Sequence, residues 1–190
     1  MNDKLNRLLD HLETFLPTPL TDQDCKNAKA FRWQKRDSIF GSIGFLKPVK
    51  HLSDISFNDL KHIDRQRDAI IENTQHFVQK RPANNILLTG ARGTGKSSLI
   101  KACLNQFASQ NLRLVEVDKD HLADLPDITE LLAVRPERFI VFCDDLSFEE
   151  GESGYKAMKS ALDGSISAQV DNILIYATSN RRHLLPEYMS

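Results

Sequence analysis

The chain is poor in cysteine and has no long apolar run. Its three cysteines, Cys25, Cys103 and Cys143, are far apart in the 190 residues and form no Cys-x-x-Cys pair. This argues against a disulfide framework and a zinc site, and it favours a reducing compartment. No apolar stretch approaches the length of a membrane span, and the first residues do not lead into a signal peptide. We therefore expect a cytoplasmic protein without a membrane partner.

A strong charge of either sign is absent as well. The 25 basic and 26 acidic side chains give a formal net charge of -1, so no overall field attracts nucleic acid, although a local basic patch is compatible with this balance. We see no helix-turn-helix pattern and no groove of basic and aromatic residues, so a nucleic-acid partner is not supported. The six histidines have no metal-ligand spacing.

The first 57 residues differ in pattern from the rest, and we predict that they form a mostly helical N-terminal extension. Leucines and phenylalanine at helical spacing predict an amphipathic helix over Asp3–Leu16. A second helix is expected to start near Thr21 and to carry Ala28, Phe31 and Trp33. Residues 38–57 read as an irregular connector.

Residues 58–190 are predicted to form a nucleotide-binding core of the α/β class. A helix over Arg65–Lys80, with Asp64 as its N-cap, opens this core. Short apolar runs then alternate with helical patterns, which predicts a parallel sheet covered on both faces, with ligands at the carboxyl ends of the strands. The predicted strands are Ile86–Thr89, Leu112–Val117, Phe139–Cys143 and Ile173–Ala177, and the helical patterns are Ser98–Phe107, 129–133 and Tyr155–Leu162.

The segment after the first of these strands has the pattern Gly-x-x-x-x-Gly-Lys-Ser. Its glycines let backbone N–H groups turn toward phosphate oxygens, and the helix that follows adds the positive end of its dipole. Lys96 can reach the β- and γ-phosphates, and the Ser97 hydroxyl can ligate Mg²⁺. The predicted phosphate-binding residues are Gly90, Ala91, Arg92, Gly93, Thr94, Gly95, Lys96, Ser97 and Ser98.

The strand Phe139–Cys143 ends in two adjacent carboxylates, Asp144 and Asp145. A buried strand that ends in this way is typical of the metal site of a nucleotide hydrolase. Asp144 is expected to hold Mg²⁺ together with Ser97, and Asp145 is expected to orient or polarise the attacking water. Two alternatives stay open: Asp145 only solvates the strand end, or Glu149 is the base.

The last predicted strand leads to Asn180, and Arg181 and Arg182 follow at once. An amide at this place can hydrogen-bond both the γ-phosphate and the lytic water. Either arginine is a candidate for an arginine finger that reaches a nucleotide on a neighbouring subunit, which would require a homo-oligomer. The alternative is that both arginines lie on the surface.

The three motifs together resemble Walker A, Walker B and sensor 1 of the AAA+ ATPases. The closer resemblance is to a bacterial family of uncharacterised predicted ATPases in that superfamily, and it is carried by residues 82–98, 142–149 and 176–184. It implies a P-loop NTPase sheet of the ASCE type with Asp144 in the middle, and ATP and Mg²⁺ as cofactors. The paired aspartates resemble the initiator and helicase-loader branches.

The resemblance also bears on the two ends of the core. It implies that residues 61–66 pack near the adenine, with His62 and Ile63 as contacts, although the family more often has glycine at Lys61 or His62. It further implies a C-terminal helical lid, which is absent from a sequence that stops at Ser190.

The leading functional hypothesis is an ATPase that uses Mg²⁺-dependent ATP hydrolysis to remodel or load a protein partner. The first alternative is a nucleotide-binding switch or scaffold that does not hydrolyse ATP. The second is a small-molecule P-loop kinase, for which the sequence offers no acceptor pocket.

Overall fold

A computed structural model describes residues 19–38, 41–148, 153–162 and 170–180. The predicted helix over residues 3–16 lies outside these ranges. None of the described helices is long and apolar enough to cross a membrane. In chain order the described elements are α1 (Asp22–Asn27), β1 (Ala30–Ser38), β2 (Gly41–Pro48), α2 (Asp64–Val78), β3 (Ile86–Thr89), α3 (Lys96–Phe107), β4 (Leu112–Glu116), α4 (Leu125–Ala133), β5 (Arg138–Cys143), α5 (Ser153–Leu162) and β6 (Ile173–Ser179), with short 3-10 helices at Phe57–Asp59, Ala108–Gln110 and Lys119–Asp124.

The six strands form one sheet in the order β2-β1-β4-β5-β6-β3. Only the β1–β2 pair is antiparallel, and the other neighbours are parallel. The predicted α/β fold, a mostly parallel sheet flanked by helices, is therefore confirmed. Because β6 lies between β5 and β3, the strand ends that carry the three motifs are neighbours, and Asp144 follows a strand in the middle of the sheet as expected.

Two apolar layers cover the faces of this sheet. Along β5, Phe139, Val141 and Cys143 pack into one layer, while Ile140 and Phe142 pack into the other. This alternation is the two-residue period of a strand that is buried on both faces. Helices α2 and α3 contribute to the second layer, and α4 and α5 contribute to the first. The strand ends are thus fixed by a core on each side.

The N-terminal part contains more strand than the sequence predicts. The helix that follows Thr21 ends at Asn27, and both Phe31 and Trp33 lie on β1, so the predicted longer helix is wrong. Residues 41–48, predicted as irregular, form β2. The reason is tertiary: β1 pairs with both β2 and β4, and these contacts outweigh a local helical spacing. The described extension is therefore not mostly helical, and residues 30–48 belong to the same sheet as the later strands β3 to β6.

The start of α2 also differs from the prediction by one residue. Asp64 is the first helical residue rather than the N-cap, and Ile63 is the N-cap without a side-chain hydrogen bond. The Asp64 carboxylate instead pairs with Arg67, three residues later, at 2.8 Å. A carboxylate in the first turn still complements the helix dipole.

Candidate functional site

The phosphate-loop pattern folds into a tight loop between β3 and α3. Gly93 and Gly95 have φ angles of 81° and 84°, a left-handed conformation that glycine adopts without steric cost. Gly95 is the N-cap of α3, and no side chain caps this helix. The first N–H groups of α3 therefore have no side-chain acceptor, which suits them to bind an anion. Of the predicted phosphate-binding residues, Ala91, Arg92, Gly93 and Thr94 are exposed, whereas Gly90, Gly95, Lys96, Ser97 and Ser98 are half-buried.

The Lys96 ammonium connects this loop to the end of β6. Its Nζ donates to the backbone oxygens of Gly90 and Ala91 at 2.7 and 2.9 Å, and to Asn180 Oδ1 at 2.9 Å. These three acceptors match the three donors of an ammonium group. Because all three acceptors are neutral, phosphate oxygens would give the same donors stronger, charge-assisted hydrogen bonds.

Ser97 and Asp144 meet across the loop. The Ser97 hydroxyl donates to Asp144 Oδ1 at 2.6 Å. A hydroxyl and a carboxylate are the hard oxygen donors that Mg²⁺ prefers, so this donor set fits the predicted ion. Within the described ranges no three histidine, cysteine or acidic side chains cluster to hold a metal. An ion at Ser97 and Asp144 would therefore take its other ligands from water and phosphate.

Thr178 is a polar residue of this site to which the sequence analysis gave no role. Its hydroxyl donates to the same Asp144 Oδ1 at 2.6 Å and accepts the Asp145 N–H at 2.8 Å. The side chain is almost completely buried. The signal lies in the register: Cys143 pairs with Ala177, and this places the next residue of β6 beside Asp144.

Asp145 stands at a sharp turn. Its φ angle is 53°, a left-handed conformation that is uncommon outside glycine but tolerated by aspartate. The turn is fixed because the next N–H, that of Leu146, donates to Thr178 O at 2.7 Å. Asn180 Nδ2 donates to Asp145 Oδ1. Asn180 thus contacts both Lys96 and Asp145, and the two carboxylates and the amide are exposed to solvent.

The segment before α2 lies against the phosphate loop. A Cβ atom at Gly95 would be 3.9 Å from Ile63 Cδ1 and 3.9 Å from Leu60 Cδ2, an ordinary van der Waals distance. Ile63 therefore lies beside the loop, as does Leu60, which the sequence analysis did not select. His62 is exposed and has a φ angle of 63°.

The remaining candidates divide into two groups. Cys143 precedes Asp144 but is fully buried, and burial raises the pKa of its thiol to about 12, so that it stays protonated near neutral pH. Glu149, Arg181 and Arg182 lie outside the described residues, and their roles stay predictions.

Comparison with known proteins finds a matching family and similar solved structures. The model of the family described as "Protein of unknown function (DUF815)" matches residues 26–190. The structure of AMPPCP-bound DnaA from Aquifex aeolicus is similar to the chain with a TM-score of 0.49 and 15% sequence identity. The match covers 70% of this chain and 44% of that one, so it spans less than half of the DnaA chain. A search of curated proteins finds no match.

Proposed function

The chain belongs to the family described as protein of unknown function DUF815, and we propose that it binds ATP with Mg²⁺ and hydrolyses it as an AAA+ type ATPase. One observation carries the proposal. Two hydrogen-bonded links join the phosphate loop to the neighbouring strand ends, Ser97 to Asp144 and Lys96 to Asn180 to Asp145. One hydrogen-bonded group of side chains thus contains a cation that can bind phosphate, oxygen atoms that can bind a metal, and a carboxylate that can accept a hydrogen bond from water.

The phosphate loop would hold the triphosphate. The uncapped N–H groups at the start of α3 and the loop N–H groups would face its oxygens. Lys96 would exchange its carbonyl acceptors for phosphate oxygens and neutralise part of their charge. Ile63 and Leu60, beside Gly95, offer apolar side chains on the side where the resemblance expects the adenine.

Ser97 and Asp144 would hold the magnesium ion. When bound, Mg²⁺ supplies charge that stabilises the phosphate oxygens during transfer. Thr178 would keep the Asp144 carboxylate in place, because it donates to Oδ1 from a buried position. Asp144 is exposed, so its carboxylate is accessible to an ion.

Asp145 and Asn180 would act on the water. The Asp145 carboxylate accepts a hydrogen bond from the attacking water, and Asn180 orients that water against the γ-phosphate. The water oxygen bonds to phosphorus as the bond to the β-phosphate oxygen breaks, which gives ADP and phosphate. The proton of the water leaves through the carboxylate or the phosphate itself.

The second candidate is a nucleotide-binding switch that does not turn over alone. It is favoured by one observation: Gly90, Ala91 and Asn180 occupy all three donors of the Lys96 ammonium, so this group must break hydrogen bonds within the protein before it can bind ATP. In either case we propose that the bound state is transmitted to a protein partner in the cytoplasm. Arg181 and Arg182 are the residues that would act on a neighbouring copy.

Nucleotide binding is tested by calorimetric titration with Mg·ATP. Lys96→Ala should lower the affinity at least about tenfold, because charge-assisted hydrogen bonds are lost. Lys156→Ala, which removes an exposed lysine of α5, serves as the matched control and should bind like the parent chain. Equal affinities for the two variants would show that the loop is not the nucleotide site.

A further inference from the structure

Strand β2 forms one end of the sheet, and no strand in the described part of the chain pairs with its outer side. The Val49 N–H donates to Ala30 O at 2.9 Å. In an antiparallel pair, this bond determines which residues of β2 direct their backbone groups toward β1 and which direct them away. Every second residue of β2 therefore directs its N–H and C=O groups away from β1. These outward residues are Ser42, Gly44 and Leu46.

Within the described residues, most of this edge has none of the usual protection against strand addition. Natural edge strands are shortened, bulged or charged to prevent pairing. Strand β2 has eight residues, and the stretch Gly41–Leu46 contains no charged side chain. Lys47 and Pro48, which has no N–H group, blunt only the far end of the strand. The edge is thus a template for an extended peptide.

Two cations flank this edge on one face of the hairpin. Arg36 is paired with Ile43, and its guanidinium lies 5.6 Å from the centre of the Phe45 ring. The side chain therefore reaches from β1 over β2 toward the edge. Lys47 lies on the same face, two residues from Phe45. Arg36 and Lys47 are exposed, and no carboxylate of the described residues pairs with either.

The opposite face of the hairpin is packed against the body of the domain. Trp33 is buried, and its indole N–H donates to Asp124 at 3.0 Å. Lys35 forms an ion pair with the same carboxylate at 2.9 Å. Since Lys35 is paired on this face, the unpaired positive charge of the hairpin lies on the side of Arg36 and Lys47.

We propose that β2 docks an extended acidic segment of a partner protein, which adds a strand to the outer edge and places carboxylates against Arg36 and Lys47. Backbone hydrogen bonds of the added strand give affinity, and acidic side chains at every second position give specificity. The edge offers N–H donors and C=O acceptors in alternation, which a peptide matches. A nucleic-acid backbone offers only phosphate acceptors along its length, so the edge favours a peptide.

The segment that follows β2 connects the docking edge to the candidate nucleotide site. Asn105 of α3 donates to the backbone oxygens of Ser53 and Ile55 at 2.8 and 2.9 Å, which fastens the segment after β2 to that helix. The same segment leads to Leu60 and Ile63 beside the phosphate loop. Docking itself does not depend on ATP, so it is tested without nucleotide and its failure leaves the ATPase proposal untouched.

The test uses a dye-labelled, end-blocked peptide of four glutamate–valine repeats and a lysine–valine peptide of the same length, with binding followed by fluorescence anisotropy. The acidic peptide should bind and the basic one should not. Reversing both charges, Arg36→Glu with Lys47→Glu, should weaken acidic-peptide binding about tenfold or more. The matched control, Lys119→Glu with Lys156→Glu, makes the same net change elsewhere and should bind like the parent chain.

A second pair of variants tests strand addition itself. Ser42→Pro removes an outward N–H group at a place where edge strands tolerate proline, whereas Ser42→Ala keeps it. Only the proline variant should lose affinity. Should Ser42→Pro unfold, an acidic peptide with N-methylated backbone groups makes the same test on the parent chain, and it should not bind.

Four results would overturn the proposal. They are equal binding of the acidic and basic peptides, no effect of backbone blocking, a dimer in sedimentation that Ser42→Pro dissociates, and displacement of the peptide by an oligothymidylate. The third would assign the edge to a second copy of this chain, and the fourth would assign the face to nucleic acid.

Discussion

The Thr178 hydroxyl donates a hydrogen bond of 2.6 Å to Asp144 Oδ1, the same oxygen that Ser97 contacts. It also accepts the backbone N–H of Asp145. One buried side chain of β6 therefore holds the Asp144 carboxylate and the backbone of Asp145, the two residues that follow β5. If Asp144 holds the metal and Asp145 acts on the water, Thr178 is the positioning residue for the two.

Two substitutions of Thr178 distinguish the effect of its hydroxyl from the effect of its side-chain volume. Thr178→Val keeps the shape of the side chain but removes its hydrogen-bond donor and acceptor. We expect this variant to need more Mg²⁺ and to hydrolyse ATP roughly tenfold more slowly, which corresponds to the loss of one hydrogen bond to a charged group. Thr178→Ser should restore most of the rate. The measurement is phosphate release as a function of Mg²⁺ concentration. A valine variant with unchanged Mg²⁺ dependence would contradict the positioning role.

Gly44 is required by the tryptophan that packs over it. A Cβ atom at this place would lie 2.0 Å from Trp33 Cζ2, far inside van der Waals contact. Gly44→Ala should therefore lower the free energy of unfolding by about 1–3 kcal/mol, as overpacking of a core does. Trp33 is the only tryptophan, so its fluorescence during urea unfolding reports the change. Ser42→Ala on the same strand is the control, and a stable Gly44→Ala protein would argue against this packing.

His62 has a backbone conformation that favours glycine. Its φ angle is 63° and its side chain is exposed. His62→Gly therefore loses few contacts and removes the steric strain that a Cβ atom causes in the left-handed backbone conformation. Glycine also gives the unfolded chain more conformational entropy, which offsets part of this gain. We therefore expect the free energy of unfolding of the glycine variant to be higher by between about 0 and 1 kcal/mol. His62→Val should be destabilised, because β-branched residues tolerate this region least. Thermal unfolding of the two variants makes the comparison, and equal midpoints would contradict it.

The Asp124 carboxylate makes the hairpin sensitive to acid. Burial alone would raise its pKa, but hydrogen bonds from Lys35 and Trp33 outweigh this and lower the pKa below its ordinary value of 3.8. A lowered folded-state pKa stabilises the protein above the ordinary value, and this stability is lost as pH falls through the folded pKa. Unfolding free energies of the parent chain and Asp124→Asn should therefore differ near neutral pH and converge in strong acid. A difference for Asp124→Asn that stays constant with pH would contradict the expectation.

The strands that follow residue 58 were predicted well because their signals are local. The apolar runs Ile86–Thr89 and Phe139–Cys143 are bounded by a glycine or by charged residues, and they are too short to form helices of ordinary length. The structure places both strands within one residue of the prediction. The loop glycines and the paired carboxylates also follow from local chemistry. Their meeting at one edge of the sheet could be inferred because parallel strands end on the same side.

The larger failures depend on contacts between distant residues. Phe31 has helical spacing from its neighbours, yet pairing with Val115 and Pro48 draws it into a strand. The role of Thr178 follows only from the register of β6 against β5, which a sequence does not specify. The exposed charge of Arg36 and Lys47 is likewise invisible in a chain whose net charge is -1, because it arises from the face on which a hairpin places them.

The most direct test of the account is single-turnover hydrolysis of ATP labelled at the γ-phosphate, with protein in excess over nucleotide. The parent chain should release labelled phosphate only when Mg²⁺ is present. Asp145→Asn should bind ATP with unchanged affinity but release phosphate at least about a hundredfold more slowly, as loss of a group that acts on the attacking water does. Asp120→Asn, an exposed aspartate away from the loop, should behave like the parent chain. Release by Asp145→Asn at the parental rate, or ATP binding without any release by the parent chain, would contradict hydrolysis at this site.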